Sequence, residues 1–171
     1  MVKKLWFILP GALFVGLLTV AVFMQGGELQ TGDRAPDFAA PTLEGADEIT
    51  LVELRGKPVV LNFWASWCKP CLEEAEMFRE AFGRYGDKAH IVGINIRDAR
   101  TDALAFVEQH DLGFLQVRDE ALSIYDDYGL TGQPETFFLD HKGVLIDHVA
   151  GPVTADMLFA RLDLLVARDA S

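Results

Sequence analysis

Pro58-Val59-Val60-Leu61-Asn62-Phe63-Trp64-Ala65-Ser66-Trp67-Cys68-Lys69-Pro70-Cys71 is the stretch from which the rest of the chain can be read. Val59 to Trp64 is a nearly continuous apolar run, preceded by a turn signal in Gly56-Lys57-Pro58, and it predicts a buried central strand. Beyond it, Cys71, Ala75, Phe78 and Phe82 recur at helical spacing as far as Tyr85-Gly86, which predicts an amphipathic helix closed by glycine. The cysteine pair therefore falls where a buried strand hands over to a helix N-terminus. A thiolate there meets unpaired backbone N–H groups and the positive end of the helix dipole, so the first cysteine can ionise well below the value of about 8.5 for a free thiol. Cys68 is the candidate nucleophile. Cys71 lies one turn on, on the inward strip with Ala75 and Phe78, where apolar surroundings keep a thiol protonated; it is the candidate resolving partner. Pro70 costs little so early in a helix, because its missing N–H would have had no partner. Lys69 adds a positive charge that favours the Cys68 thiolate, subject to solvent screening.

Working outward, Ile91–Ile96 reads as the next strand and Thr101–His110 as the next helix, and this alternation gives a parallel pair with a helical crossover. Leu115–Val117 and Glu120–Tyr128 read as a further short strand and helix. Thr136–Leu139 and Val144–Val149 are strands joined by the hairpin signal Asp140-His141-Lys142-Gly143. Thr154–Arg168 closes the chain as a helix with Ala155, Leu158, Leu162 and Leu165 on one face. The expected fold class is α/β, a central mixed sheet flanked by helices on both faces.

Toward the N-terminus, Leu5 to Met24 carry no charge, and twenty helical residues would reach about 30 Å, the thickness of a bilayer core. Lys3 and Lys4 precede this run and the first charge after it is Glu28, so the expectation is a single transmembrane helix with its N-terminus in the cytoplasm. The competing reading is a signal peptide cleaved in the small-residue context Thr19-Val20-Ala21, though the run exceeds the usual length of a signal core. Either way the rest of the chain is exported. Residues 1–26 are read as the anchor, 27–34 as a tether, and 35–171 as one domain; 171 residues leave no room for two large ones. With 15 basic and 26 acidic residues the net charge is -11, which excludes a nucleic-acid partner that would need a basic face.

Two cysteines are too few for a disulfide-stapled mini-protein or a four-cysteine zinc site. A static bridge closing so short a loop would constrain the unfolded chain little. A zinc site would need two further ligands, and His90, His110, His141 and His148 occur singly with no ligand spacing. No metal and no cofactor are expected.

Asn62-Phe63-Trp64-Ala65-Ser66-Trp67-Cys68-Lys69-Pro70-Cys71 resembles the active-site segment of thioredoxin-fold proteins, specifically the membrane-anchored TlpA/ResA/DsbE-like group of extracytoplasmic thiol-disulfide oxidoreductases. Ala35-Pro36-Asp37-Phe38 resembles that group's entry to the domain, and Gly132-Gln133-Pro134-Glu135-Thr136-Phe137-Phe138-Leu139-Asp140 resembles its proline loop. The resemblance runs from about Gly32 to the C-terminus and implies a thioredoxin-like fold with Gln133-Pro134 in cis, packed against Cys68. A proline there has no N–H, and its rigid turn would leave the backbone of Gln133 free to pair with a substrate strand. The group often has a glutamate at the position of Glu74, three residues after Cys71. A partly buried carboxylate there could take the proton from Cys71 and, while ionised, would raise that thiol's pKa. Ordinary thioredoxins usually carry a buried aspartate six positions before the first cysteine; here Asn62 stands there and cannot titrate, which moves proton handling to Glu74. Glu73 and Glu76 read as solvated acids complementing the helix dipole. Glu135 resembles the cytochrome c maturation branch, with an exposed loop acid as the plain alternative. Trp67 is expected to shield the thiol edge and Trp64 to belong to the core.

The resulting expectation is an extracytoplasmic thiol-disulfide oxidoreductase in which Cys68, Cys71 and Glu74 are catalytic and Trp67, Lys69, Pro70, Gln133, Pro134 and Glu135 support the site. The resemblance implies the reducing direction, with apocytochrome c or an assembly factor among candidate disulfide partners, a membrane thiol donor as electron source, and the bilayer as partner through residues 5–24. The alternatives are a disulfide oxidase or isomerase, a non-catalytic binding module that keeps the fold, and a peroxiredoxin-like peroxidase, whose usual threonine three positions before the attacking thiol is replaced here by Ala65.

Overall fold

The structure, a computed structural model, describes residues 29–45 and 47–169. The apolar run does become the central strand: β3 (Val59–Trp64) is buried along its whole length. The strands that flank it are β4 (His90–Ile96), β5 (Leu115–Asp119), β6 (Glu135–Leu139) and β7 (Leu145–Ala150). They form one sheet in the order β5-β4-β3-β6-β7. β3, β4 and β5 run parallel, while β6 is antiparallel to both β3 and β7. The chain crosses from β3 to β4 through α1 (Lys69–Tyr85) and from β4 to β5 through α2 (Arg100–Gln109). Two crossovers of the same hand in the same direction leave both helices on one face of the sheet.

Side chains alternate across the pleat and split the core into two layers. Val60 and Trp64 join Cys68, Cys71, Ala75 and Phe78 of the α1 region, Phe106 of α2, and Leu158, Leu162 and Leu165 of α4 (Ala155–Asp169). Val59, Leu61 and Phe63 point the other way, toward Phe38, Leu51, Ile124 and Tyr128. That second face is covered by α3 (Ser123–Asp127) and by a hairpin of β1 (Ala39–Pro41) and β2 (Glu48–Thr50), followed by a 3-10 turn at Leu51–Leu54. Thr50 and Glu53 close a reciprocal capping box at the start of that turn, which satisfies two orphan N–H donors.

Helix α3 is shorter than the expected Glu120–Tyr128. Leu122 stands at φ +60°, which breaks the helix before Ser123, and the Asp119 carboxylate accepts from the Tyr125 N–H at 2.8 Å. At the other end of the domain, Gly32 N–H donates to the Leu145 carbonyl at 2.8 Å, Leu145 N–H to Asp33 at 2.8 Å, and Ala35 N–H to Gly143 at 2.9 Å. The segment read as a tether is thus hydrogen-bonded to the β6–β7 hairpin from Gly32 onward. No helix among the described residues is long and apolar enough to cross a membrane; the expected span at 5–24 lies outside them.

Candidate active site

Cys68 occupies the N-cap of α1 in extended conformation, and its Sγ takes the place of the usual capping oxygen, accepting from the Cys71 N–H at 3.3 Å. A sulfur held there lies within the positive end of the helix dipole. Pro70 falls in the first turn, where no intrahelical donor is lost, and Lys69 beside it is exposed. Cys68 and Cys71 are joined as a disulfide, with Cα atoms 5.3 Å apart. In this state they are 5 % and 4 % exposed. Trp67, by contrast, is 60 % exposed and donates its indole N–H to the Arg97 carbonyl at 2.9 Å, so it flanks the sulfurs by reaching over to the end of β4.

The Gln133–Pro134 peptide is cis, and the Gln133 carbonyl oxygen lies 3.8 Å from Cys68 Sγ. The proline loop is thus the wall of the site opposite α1. Glu135, first residue of β6, is 2 % exposed and holds this loop from below. Its Oε1 accepts from Thr131 N–H at 2.9 Å, Thr131 Oγ1 at 3.1 Å and Gly132 N–H at 3.1 Å. Its Oε2 faces His148 Nε2 at 2.8 Å. Glu135 is therefore a buried, fully engaged acid and not an exposed loop residue.

Glu74 is 3 % exposed, on the strip of α1 next to the one that carries Cys71. Its Oε1 accepts a short hydrogen bond from the Val153 N–H, while Oε2 has no hydrogen-bond partner. Burial pushes its carboxyl up to about 7; the Val153 N–H and, more weakly, the nearby Asn62 amide pull the other way. The Asn62 amide itself donates to Thr136 Oγ1 at 3.2 Å. Glu73 and Glu76 are exposed, as their solvated reading requires, and Trp64 is core, stacked on Phe106 at 4.8 Å between centroids.

Asp98 was not legible as part of the site. It follows β4, and its carboxylate accepts from Ser66 N–H at 2.6 Å, Ser66 Oγ at 2.8 Å and Asn95 Nδ2 at 2.9 Å. These bonds fix the turn that delivers Cys68 to the helix. The only signal in sequence was an acid just past the carboxyl end of a predicted parallel strand, where such folds gather their functional groups.

What this arrangement can do is exchange disulfides: one sulfur lies at a helix mouth beside the Gln133 carbonyl, its partner is one turn on, and a carboxyl able to hold or release a proton near neutrality is buried on the same helix. Similarity to known proteins agrees. The AhpC/TSA family profile matches residues 31–148. The thiol-disulfide oxidoreductase ResA of Bacillus cereus is 33% identical over 80% of this chain and 79% of its own length. The thiol:disulfide interchange protein DsbE of Pseudomonas fluorescens is 35% identical over 96% of this chain and 97% of its own. Among solved structures, a secreted Mycobacterium tuberculosis disulfide oxidoreductase homologous to E. coli DsbE superposes with a TM-score of 0.70 at 30% identity, covering 75% of this chain and 96% of its own. With its two sulfurs bonded at the head of α1, the chain belongs to the AhpC/TSA family and is a thiol-disulfide oxidoreductase of the DsbE and ResA type.

Proposed function

We propose that this oxidoreductase works as a reductase of disulfides in exported proteins, tethered to the membrane by residues 5–24, with apocytochrome c or a cytochrome assembly factor as its substrate. The observation that carries the direction is the buried Glu74 carboxyl, three residues after Cys71 on the same helix. Reducing the bridge creates thiols whose ionisation a nearby carboxylate opposes, and a reduced pair denied the stabilisation of a thiolate has a lower reduction potential, which makes it a better electron donor. The tether is supported by the uncharged run 5–24 and by the Pseudomonas relative, whose match leaves too little of the chain uncovered to omit that run.

In the reduced enzyme the Cys68 thiolate attacks one sulfur of the substrate disulfide. The substrate S–S bond breaks, a Cys68–substrate bond forms, and the departing substrate sulfur takes up a proton. Glu74, as carboxylate, accepts the Cys71 proton, the Cys71 sulfur attacks Cys68 Sγ, and the Cys68–substrate bond breaks, closing the enzyme disulfide and releasing the second substrate sulfur, which takes up a proton as Glu74 gives one back. Two electrons and two protons pass to the substrate, and a thiol donor returns them to the enzyme. Trp67 and the Gln133 carbonyl flank the approach, the latter as an acceptor for a substrate backbone N–H.

Redox titration of the purified domain against glutathione tests the direction. A reductase is expected to equilibrate at about -200 mV or below, whereas about -120 mV would make the protein an oxidase. Turnover of hydrogen peroxide would favour the peroxidase reading, against which Ala65 stands in place of threonine.

A further inference from the structure

His148 lies on β7, outside every motif that carried the exchange reading, yet it completes the support of the proline loop. Its imidazole stacks on Phe137 with centroids 4.0 Å apart and planes 12° from parallel, which fixes where Nε2 points. Nε2 meets Glu135 Oε2 at 2.8 Å. The other carboxylate oxygen already takes two backbone N–H groups and a hydroxyl from Thr131 and Gly132, the two residues before Gln133. An acceptor-only carboxylate makes the imidazole nitrogen the donor. Gln133 in turn presents its carbonyl 3.8 Å from Cys68 Sγ. A continuous chain of contacts therefore runs from a partly exposed histidine at the sheet edge, through a buried carboxylate, to the backbone group that faces the nucleophile.

We infer that His148 is a positioning residue for exchange: by donating to Glu135 it orients the carboxylate that holds the 131–134 loop, and so sets the Gln133 carbonyl at the height a substrate backbone must meet beside Cys68. The effect falls on substrates that pair with that carbonyl, and least on a disulfide with no backbone. This rests on the exchange reading above.

The ring stack and the hydrogen bond can be separated. His148→Phe keeps an aromatic ring on Phe137 and removes the donor, whereas His148→Gln loses the ring and keeps an amide N–H near the place of Nε2. Steady-state exchange is measured with a short peptide closed by an internal disulfide and with hydroxyethyl disulfide, alongside thermal melting of each variant. The Phe variant is expected to raise KM for the peptide about tenfold, the scale of one charged hydrogen bond. Its effect on hydroxyethyl disulfide is expected to be several times smaller, and the Gln variant is expected to recover most of the peptide KM. A Phe variant that matches the parent on the peptide overturns the inference, as does a loss shared equally by both disulfides and tracking the melting temperature. If the Phe variant does not fold, Glu135→Gln and His148→Ala replace it: each alone is expected to give the same rise in peptide KM, with no further rise when the two are combined, and additive rises overturn the coupling. A parent protein that exchanges with neither disulfide removes the exchange reading itself, and this inference with it.

Discussion

The Val153 N–H donates to the carboxylate of Glu74, joining the second turn of the cysteine helix to the segment that enters α4, 79 residues further along the chain. One oxygen of that carboxylate is thereby held, while the other is buried without a partner. A half-satisfied buried acid is costly to ionise, and that cost is what brings its proton into the neutral range.

Because the Glu74 carboxyl is pushed up to about 7, it should begin to accept the Cys71 proton only as pH rises through neutrality. Single-turnover release of a Cys68 mixed disulfide is expected to quicken across pH 6–8, with an inflection near 7. Glu74→Gln is expected to slow release about 100-fold at pH 8 and to remove that inflection. An unchanged pH profile would take Glu74 out of the resolving step.

The same shift has a thermodynamic face. The folded protein binds the Glu74 proton more tightly than the unfolded chain, whose carboxyl keeps the ordinary value of 4.5. The stability this contributes is fully present below about pH 4.5 and is lost as pH rises through about 7. Relative to the parent, oxidised Glu74→Gln is therefore expected to gain about 3 kcal/mol between pH 4 and pH 8, read by urea unfolding at each pH. A constant difference between the two proteins across this range would contradict the raised pKa.

With Cys68 at the helix mouth and Cys71 one turn deeper, the two serine variants should part company. Cys71→Ser is expected to accumulate a mixed disulfide with a partner protein through Cys68, visible on non-reducing gels and removed by dithiothreitol. Cys68→Ser is expected to accumulate none. The opposite pattern would exchange the roles of nucleophile and resolver.

Much of this molecule can be read from one line of residues because those residues answer to local rules. β3 is an unbroken apolar run, and α1 announces itself by spacing, by Pro70 in its first turn and by Gly86 at its end. Ends set by the same rules came within a residue for α2, β7 and α4. The hairpin β1–β2 escaped because each strand has three residues and only Ala40 is buried among them, too short a pattern to show alternation. The truncation of α3 depends on Leu122 in a left-handed conformation and on a cap from Asp119, neither of which propensity registers. Asp98 and His148 escaped for another reason: each is a lone polar residue whose meaning lies in a partner 32 or 13 positions away.

Asp98 offers a direct check on that distant pairing. Asp98→Ala would leave the Ser66 N–H without its acceptor and free Asn95 Nδ2, so a loss of about 3 kcal/mol is expected in urea unfolding. Asp98→Asn, which can still accept at one oxygen, is expected to lose less. Exchange activity should fall with the Ala variant beyond its loss of stability, because the turn bearing Cys68 is no longer fixed.

The lacing of Gly32–Ala35 onto the Gly143–Leu145 turn has a directional consequence. That turn lies where β3 begins, whereas Cys68 follows the end where β3 finishes, and six extended residues rise about 20 Å. Gly32–Ala35 are therefore held at the pole of the sheet opposite the sulfurs. Under the tethered reading proposed above, a leash attached at that end would leave the sulfurs facing away from its mooring, open to an incoming protein head-on.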